Sequence, residues 1–323
     1  MNIGIPDDYA DVVRTLPSFR KVAGHGVSIW TDAAQNLDVL AKRFSDIEAL
    51  VLLRERTRIS ADLVARLPRL KLITISGPYP NIDVDACTAH GIAVCAAKNR
   101  ESYATPELTW ALILSAMRRI PQEVAGLQAG RWQRDIGRVL HGRTLGVFGF
   151  GRIGKVVAGY GRAFGMRVLV WSRERSRAEA AAQGFELSNG KDDLFAQADV
   201  LTLHVRLMPE TRGMVTRADL ARMKPTSLFV NTSRAELVEP DALVEALRAG
   251  HPGFAAVDVY EHEPVLDADH PLLQLPNALC TPHLGFVALD QLDEYFSDQF
   301  DRVLAFERGE PIDVVNPAAF TRP

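Results

Sequence analysis

Cysteine is scarce in this chain: Cys87, Cys95 and Cys280 are the only three among 323 residues. Their odd number and scattered positions exclude a disulfide framework and fit no metal-ligand spacing. They read as reduced thiols of a cytoplasmic protein, with no metal site expected. Surplus charge is missing as well. A formal net charge of −3 gives no reason to expect nucleic acid or an anionic membrane as partner. No apolar run reaches the length of a membrane span. The opening Met1-Asn-Ile-Gly-Ile-Pro-Asp-Asp8 has neither the basic region nor the long apolar run of a secretion signal. Internal repeats and low-complexity tracts are absent too. What remains, 47% hydrophobic and 24% charged, is the composition of a soluble globular protein, and the length suggests two domains.

The stretch 145–173, LGVFGFGRIGKVVAGYGRAFGMRVLVWSR, organises the rest. An apolar run suited to a buried strand leads into Gly149, Gly151 and Gly154 at G-x-G-x-x-G spacing, with Arg152 and Ile153 between the last two. A helix pattern follows to about Phe164, and the second apolar run, Arg167-Val-Leu-Val-Trp171, closes a strand-helix-strand unit. The glycines serve separate purposes. The first permits the tight turn, the second lets a pyrophosphate approach the backbone, and the third lets helix and strand pack closely. The helix start adds unpaired N–H groups and a positive dipole end. A G-x-G-x-x-G alone is weak; between two apolar runs it points to a dinucleotide.

The second strand of such a unit usually ends in an acidic residue that holds the ribose hydroxyls of NAD. Here Ser172 and Arg173 stand there, with Arg175 and Arg177 close behind. A carboxylate would repel a 2′-phosphate, whereas a hydroxyl and a guanidinium would receive it. NADP(H) is therefore favoured over NAD(H), against the plainer reading of the arginines as a solvated loop.

Around this unit, short apolar runs alternate with helical patterns, which means parallel sheet with helices on both faces. In the first hundred residues strands are expected at 3–5, 27–30, 49–53, 70–75 and 92–94, and helices at 32–44, 60–67 and 83–90. Ser60 is the expected cap of one helix and Gly91 the glycine that ends another. Thr105-Pro106-Glu107 opens a further helix, with the threonine as cap, whose continuation is apolar nearly all round. Such a helix is buried on more than one side, between domains or against a second subunit. Beyond the glycine loop, strands are expected at 199–205, 227–231, 253–260 and 278–281, about six parallel strands in all. A last helix at 289–307 is expected to return to the N-terminal domain.

Three polar residues lie just past expected strand ends, where open parallel sheets bind ligands: Arg234, Glu263 and His283. A histidine can supply the proton that a carbonyl needs on becoming an alcohol. A nearby carboxylate favours imidazolium and orients it. An arginine can hold a substrate carboxylate and polarise the adjacent carbonyl. These are the parts for reducing a 2-oxo acid with a nicotinamide hydride, although each residue alone could equally serve a turn or a surface loop.

Four motifs in order, Gly149-Phe-Gly-Arg-Ile-Gly154, Asn231-Thr-Ser-Arg-Ala-Glu-Leu-Val238, Asp258-Val-Tyr-Glu-His-Glu-Pro264 and Thr281-Pro-His-Leu-Gly285, make the chain resemble the D-isomer-specific 2-hydroxyacid dehydrogenases over nearly its whole length. The resemblance implies an α/β protein with two doubly wound parallel-sheet domains. The discontinuous, flavodoxin-like substrate-binding domain would be 1–100 with 286–323, and the Rossmann NAD(P)-binding domain 101–285. It implies His283 as acid/base paired with Glu263, Arg234 on the substrate, and Asp258 on the nicotinamide carboxamide. Thr105, Val205 and Thr232 would line the cofactor cleft, with Thr211 and Gly285 also in contact. His262 adjoins Glu263, but the motif places no role there. The usual assembly is a homodimer across the cofactor domains, in keeping with the apolar helix after Thr105.

Two departures stand out. In the family, backbone N–H groups of the loop after the fourth strand hold the substrate carboxylate, and here that loop contains Pro78, which has no N–H. The contact is expected to shift to Ser76, Gly77 or Tyr79. Ser172-Arg173 is the other, and is similar to the NADPH-using glyoxylate and hydroxypyruvate reductases. With so little sequence after the last helix, the regulatory extension of many phosphoglycerate dehydrogenases is not expected here. Glu263 argues against formate dehydrogenase activity, where glutamine is found. A dinucleotide-sensing corepressor and an NAD-dependent oxidation of a 2-hydroxy acid are the alternatives. The substrate side chain and the physiological direction are left open.

Overall fold

The computed structural model describes residues 1–97 and 102–320. The chain divides into two compact units, Met1–Arg100 with Ala288–Pro323, and Glu101–Val287.

The first unit holds a parallel sheet of β1 (Asn2–Ile5), β2 (Gly26–Ile29), β3 (Ala49–Leu52), β4 (Leu72–Ser76) and β5 (Ala93–Ala97), in the order β2-β1-β3-β4-β5. That is the flavodoxin-like order. Ile5, Leu50, Leu52, Ile73 and Ile75 are almost wholly buried, as strands covered on both faces must be. Ser60 caps the helix Ala61–Val64 through the N–H of Leu63, and Gly91 sits at φ +69° after the helix Val84–Ala89, both as expected. Two short 3-10 turns, Val13–Thr15 and Pro17–Val22, replace regular structure after β1. The helix Leu289–Glu307 belongs to this unit. It is pinned by the Asp293 carboxylate on the Ser18 N–H (2.8 Å), Lys21 on Asp301 (2.7 Å) and Phe19 edge-on to Phe300. Past it the chain runs antiparallel along β5, with Ala96 N–H on Asp313 O and Val315 N–H on Val94 O.

The second unit is built on β6 (Thr144–Phe148), β7 (Arg167–Trp171), β8 (Glu186–Leu187), β9 (Val200–Leu203), β10 (Leu228–Asn231), β11 (Phe254–Val257) and β12 (Ala278–Cys280). All pair in parallel, in the order β12-β11-β10-β9-β6-β7-β8. Seven strands stand where about six were expected, because the two residues of β8 carry too little pattern to be read. Alternation along the strands divides the core. Phe148, Leu169, Leu201 and Phe229 face one layer of helices, while Leu145, Val147, Val168, Val170 and Val230 face the other with Trp110 and Ile113. The strand order reverses beside β6, and the carboxyl ends of β6 and β9 flank the crevice where such sheets hold dinucleotides.

Candidate active site

Every expected cofactor and catalytic residue of the second unit lies at the carboxyl end of its sheet or on the helix beside it. Gly149 turns at φ +100°, and a Cβ there would come within 2.5 Å of His204 O. At Gly154 a Cβ would meet Gly149 O at 2.0 Å, so the third glycine serves packing. At Gly151 nothing lies within 4 Å of a Cβ. The middle glycine thus fronts open space at the start of the helix Arg152–Ala163, which has no side-chain cap. These are the properties that a pyrophosphate cradle needs. Arg152 is exposed and Ile153 half-buried in that first turn. Ser172 Oγ accepts the Phe150 N–H at 3.2 Å, tying the end of β7 to the glycine loop. Arg173 and Arg175 are exposed, whereas Arg177 donates to Ser188 O.

Thr105 is not the expected cap. The helix begins two residues earlier than expected, as Ala104–Met117, with Tyr103 at the cap position making no side-chain bond. The Thr105 hydroxyl donates to Gly285 O at 2.6 Å instead. Thr109, one turn on, donates to Thr105 O and meets Thr232 Oγ1 at 2.9 Å. Thr105, Thr232 and Gly285, three of the expected cofactor contacts, are thereby joined through Thr109. The sequence reading missed Thr109, although its i+4 spacing from Thr105 is a helical-face signal. Val205 follows β9 beside Gly149. Thr211 lies farther along that loop, its hydroxyl accepting the Met208 N–H and donating to Arg206 O, both at 2.8 Å.

The three candidate catalytic residues converge. His283 Nδ1 lies 2.5 Å from Glu263 Oε2, so the imidazole donates from Nδ1 and turns Nε2 outward as the exchangeable position. Burial raises the Glu263 carboxyl, but the hydrogen bond and charge of His283, the Tyr260 N–H and the charge of Arg234 outweigh it. The net shift is downward from the usual glutamate value. Glu263 is therefore an acceptor and His283 its donor. The Arg234 guanidinium donates from Nη1 to Ser233 O at 2.7 Å, and Asn231 Nδ2 holds the Arg234 carbonyl. His262 is exposed.

Asp258 is wholly buried. Its carboxylate accepts from Thr281 Oγ1 (2.6 Å), Leu284 N–H (2.7 Å) and Gly285 N–H (2.8 Å). Burial pushes its carboxyl up, with these donors and the His283 charge opposing. The carboxylate is thus engaged with the loop that carries His283. In the first unit, Ser76 at the end of β4 and Gly77 just after it, the latter at φ +108°, are buried, and Tyr79 is exposed. Ser76 O accepts from Arg54 at 3.4 Å.

Comparison with known proteins identifies the family of the chain. The model of the D-isomer specific 2-hydroxyacid dehydrogenase NAD binding domain matches residues 110–285. A glyoxylate reductase of Aeropyrum pernix is 37% identical over 80% of this chain and 80% of its own. The chain belongs to the D-isomer-specific 2-hydroxyacid dehydrogenase family. A D-3-phosphoglycerate dehydrogenase of Methanocaldococcus jannaschii is 40% identical over 76% of this chain and 47% of its own. The chain spans about half the length of the curated phosphoglycerate dehydrogenases that it matches. Among solved structures, an oxidoreductase from Ralstonia solanacearum is 48% identical over 99% of this chain and 98% of its own, with a TM-score of 0.95. The family is one of nicotinamide-dependent oxidoreductases, and the two parallel-sheet folds are those of its solved members.

Proposed function

We propose that the chain reduces a small 2-oxo acid to the D-2-hydroxy acid, with NADP(H) preferred over NAD(H). The observation that carries the reading is the 2.5 Å pair of His283 and Glu263, with the Arg234 charge acting on the same carboxylate. The nicotinamide, when bound, supplies the hydride. His283 gives its Nε2 proton to the substrate oxygen and Glu263 holds the imidazolium in line. Arg234 clamps the carboxylate and polarises the carbonyl. Residues 101–285 serve as the cofactor domain, and residues 1–100 with 286–323 as the substrate domain. The buried Ser76-Gly77 turn and Tyr79 supply the carboxylate contacts that Pro78 cannot.

The exposure of Arg173 and Arg175 just past β7, with no carboxylate ending that strand, supports the reading that they meet a 2′-phosphate. Arg177, engaged with Ser188 O, is assigned to the loop's own structure. A second copy of this chain is the expected partner. Ile120, Val124 and Leu127 of the helix Ile120–Gln128 are exposed, as are Trp132 (74%), Ile136 (94%) and Val139 (68%) just after it. A patch of that kind usually marks an interface. Among the described residues no helix is long and apolar enough to cross a membrane. Three free cysteines suit a reducing, cytoplasmic setting.

The deciding experiment is parallel fluorescence titration with NADPH and NADH, followed by assays on glyoxylate and hydroxypyruvate. The expected result is tighter NADPH binding that Arg173→Ala weakens, with turnover of at least one acid. Preference for NADH would overturn the cofactor assignment, and binding of neither would overturn the reading as a whole.

A further inference from the structure

His283 is held in an unusual backbone state, at φ +52°. For a residue with a Cβ this left-handed conformation costs on the order of 1 kcal/mol or more and persists only where surrounding bonds determine it. The turn is closed by the His283 N–H on Thr281 O at 3.0 Å. That same oxygen accepts the hydroxyl of Tyr260 at 3.0 Å. The Tyr260 N–H, at the other end of the residue, donates to Glu263 Oε1 at 2.9 Å, while Glu263 Oε2 receives the imidazole. A closed ring of four hydrogen bonds results, from Tyr260 N–H through Glu263, His283 and Thr281 O back to the Tyr260 hydroxyl.

We propose that Tyr260 is a positioning residue for the His283–Glu263 pair, its backbone fixing the carboxylate and its hydroxyl fixing the turn that carries the imidazole. The proposal rests on the reading of His283 as the acid/base. Tyr260 suits the role because its side chain is itself immobile. It is 8% exposed, and its ring lies edge-on to His270 at 5.0 Å. His270 in turn meets Glu261 at 3.0 Å. Burial drives the phenol far above its usual titration range, so it remains a donor under all working conditions. Its other polar neighbour is the Cys280 thiol, a weak alternative to a carbonyl. A buried hydroxyl deprived of its acceptor is costly, and this ties Thr281 O, and with it the turn, to the end of β11.

The test is Tyr260→Phe, which keeps the ring and the backbone N–H and removes only the hydroxyl. Steady-state kinetics are read beside the proton NMR signal of His283 Nδ1–H in histidine-labelled protein, assigned by its loss in His283→Ala. The expected result is a roughly tenfold fall in kcat, the cost of a small misplacement of a catalytic group. KM and cofactor affinity should stay within about twofold, as for a group acting through another residue. The Nδ1–H signal should leave its downfield position and exchange faster. Unchanged kcat with an unmoved signal would overturn the proposal. So would a lowered kcat accompanied by a large fall in Tm and an unmoved signal, which describes a general structural role. Absence of a downfield signal in the wild-type protein would overturn it too. If the wild-type protein turns over no 2-oxo acid, the acid/base reading fails by itself. The response of the signal to Tyr260→Phe then still decides whether Tyr260 positions the pair.

Discussion

Asp7 in the small sheet and Asp258 in the large one stand in comparable places. Each lies just past the carboxyl end of a parallel strand, each is essentially buried, and burial pushes each carboxyl above its usual range. Their partners differ. Asp258 gathers three donors from one loop, 281–285, two of them backbone N–H groups. Asp7 takes the Thr57 hydroxyl at 2.5 Å and the Tyr9 hydroxyl at 3.5 Å, both side chains, and its own backbone is the left-handed one, at φ +65°. Arg56 donates to its carbonyl. One aspartate templates the backbone of another segment and so presents His283 to solvent. The other braces side chains around itself. A carboxylate that accepts backbone N–H groups cannot be replaced by an amide without setting donor against donor, whereas one that accepts hydroxyls can, because hydroxyls turn.

The largest effect expected from this contrast is at the residue that Asp258 presents. His283→Ala should lower kcat by about 10²–10⁴-fold, the usual range for a general acid, with cofactor affinity little changed; near-normal turnover would remove the acid/base role. Asp258→Asn should come next. An amide nitrogen facing the Leu284 or Gly285 N–H leaves a buried donor unmatched, about 1–3 kcal/mol, read as a lower denaturant midpoint together with reduced turnover. Asp7→Asn is the counterpart and should change stability at neutral pH by less than about 1 kcal/mol, since Thr57 can still donate to the amide oxygen. Its pH dependence sharpens the point. The folded-state carboxyl lies above its unfolded value, so the stability that Asp7 contributes is fully present below the unfolded value and is lost as pH rises through the folded one. The Asn variant should lack that slope, and an equal slope in both proteins would contradict the assignment. Glu263→Gln is the smallest and runs the other way. The folded carboxyl is lowered, so the stability that Glu263 contributes is present above the unfolded value and vanishes as pH falls through the folded one. Acid titration of Tm should show the wild-type and Gln variants converging only at low pH.

Much of this was legible in the residues alone. Strand alternation, the glycine spacing and the positions of Arg234, Glu263 and His283 past strand ends are local patterns, and the helix Leu289–Glu307 was bounded as expected. The illegible parts depend on what lies across space. Thr105 read as a cap because its type suits one, yet its hydroxyl is taken by Gly285 O, 180 residues away. Tyr260 carries no local signal for its role, because its bond to Thr281 O exists only once β11 and β12 pair. The left-handed His283 has no sequence signal at all, since nothing in its type demands φ +52°.

The antiparallel run of residues 313–315 along β5 has a consequence for solubility. β5 is the last strand of its sheet, and its apolar stretch around Val94 and Cys95 is buried. Left bare, such a strand is a template on which another molecule's backbone can continue the ladder, and growth of that kind ends in fibres or precipitate. Asp313 and Val315 occupy the ladder positions, and Asn316 completes the seal by accepting the Val94 N–H at 2.8 Å and donating to Ile92 O at 2.9 Å. Those few residues act as a stopper, and a fragment cut before Asp313 would trade a finished edge for a polymerisable one.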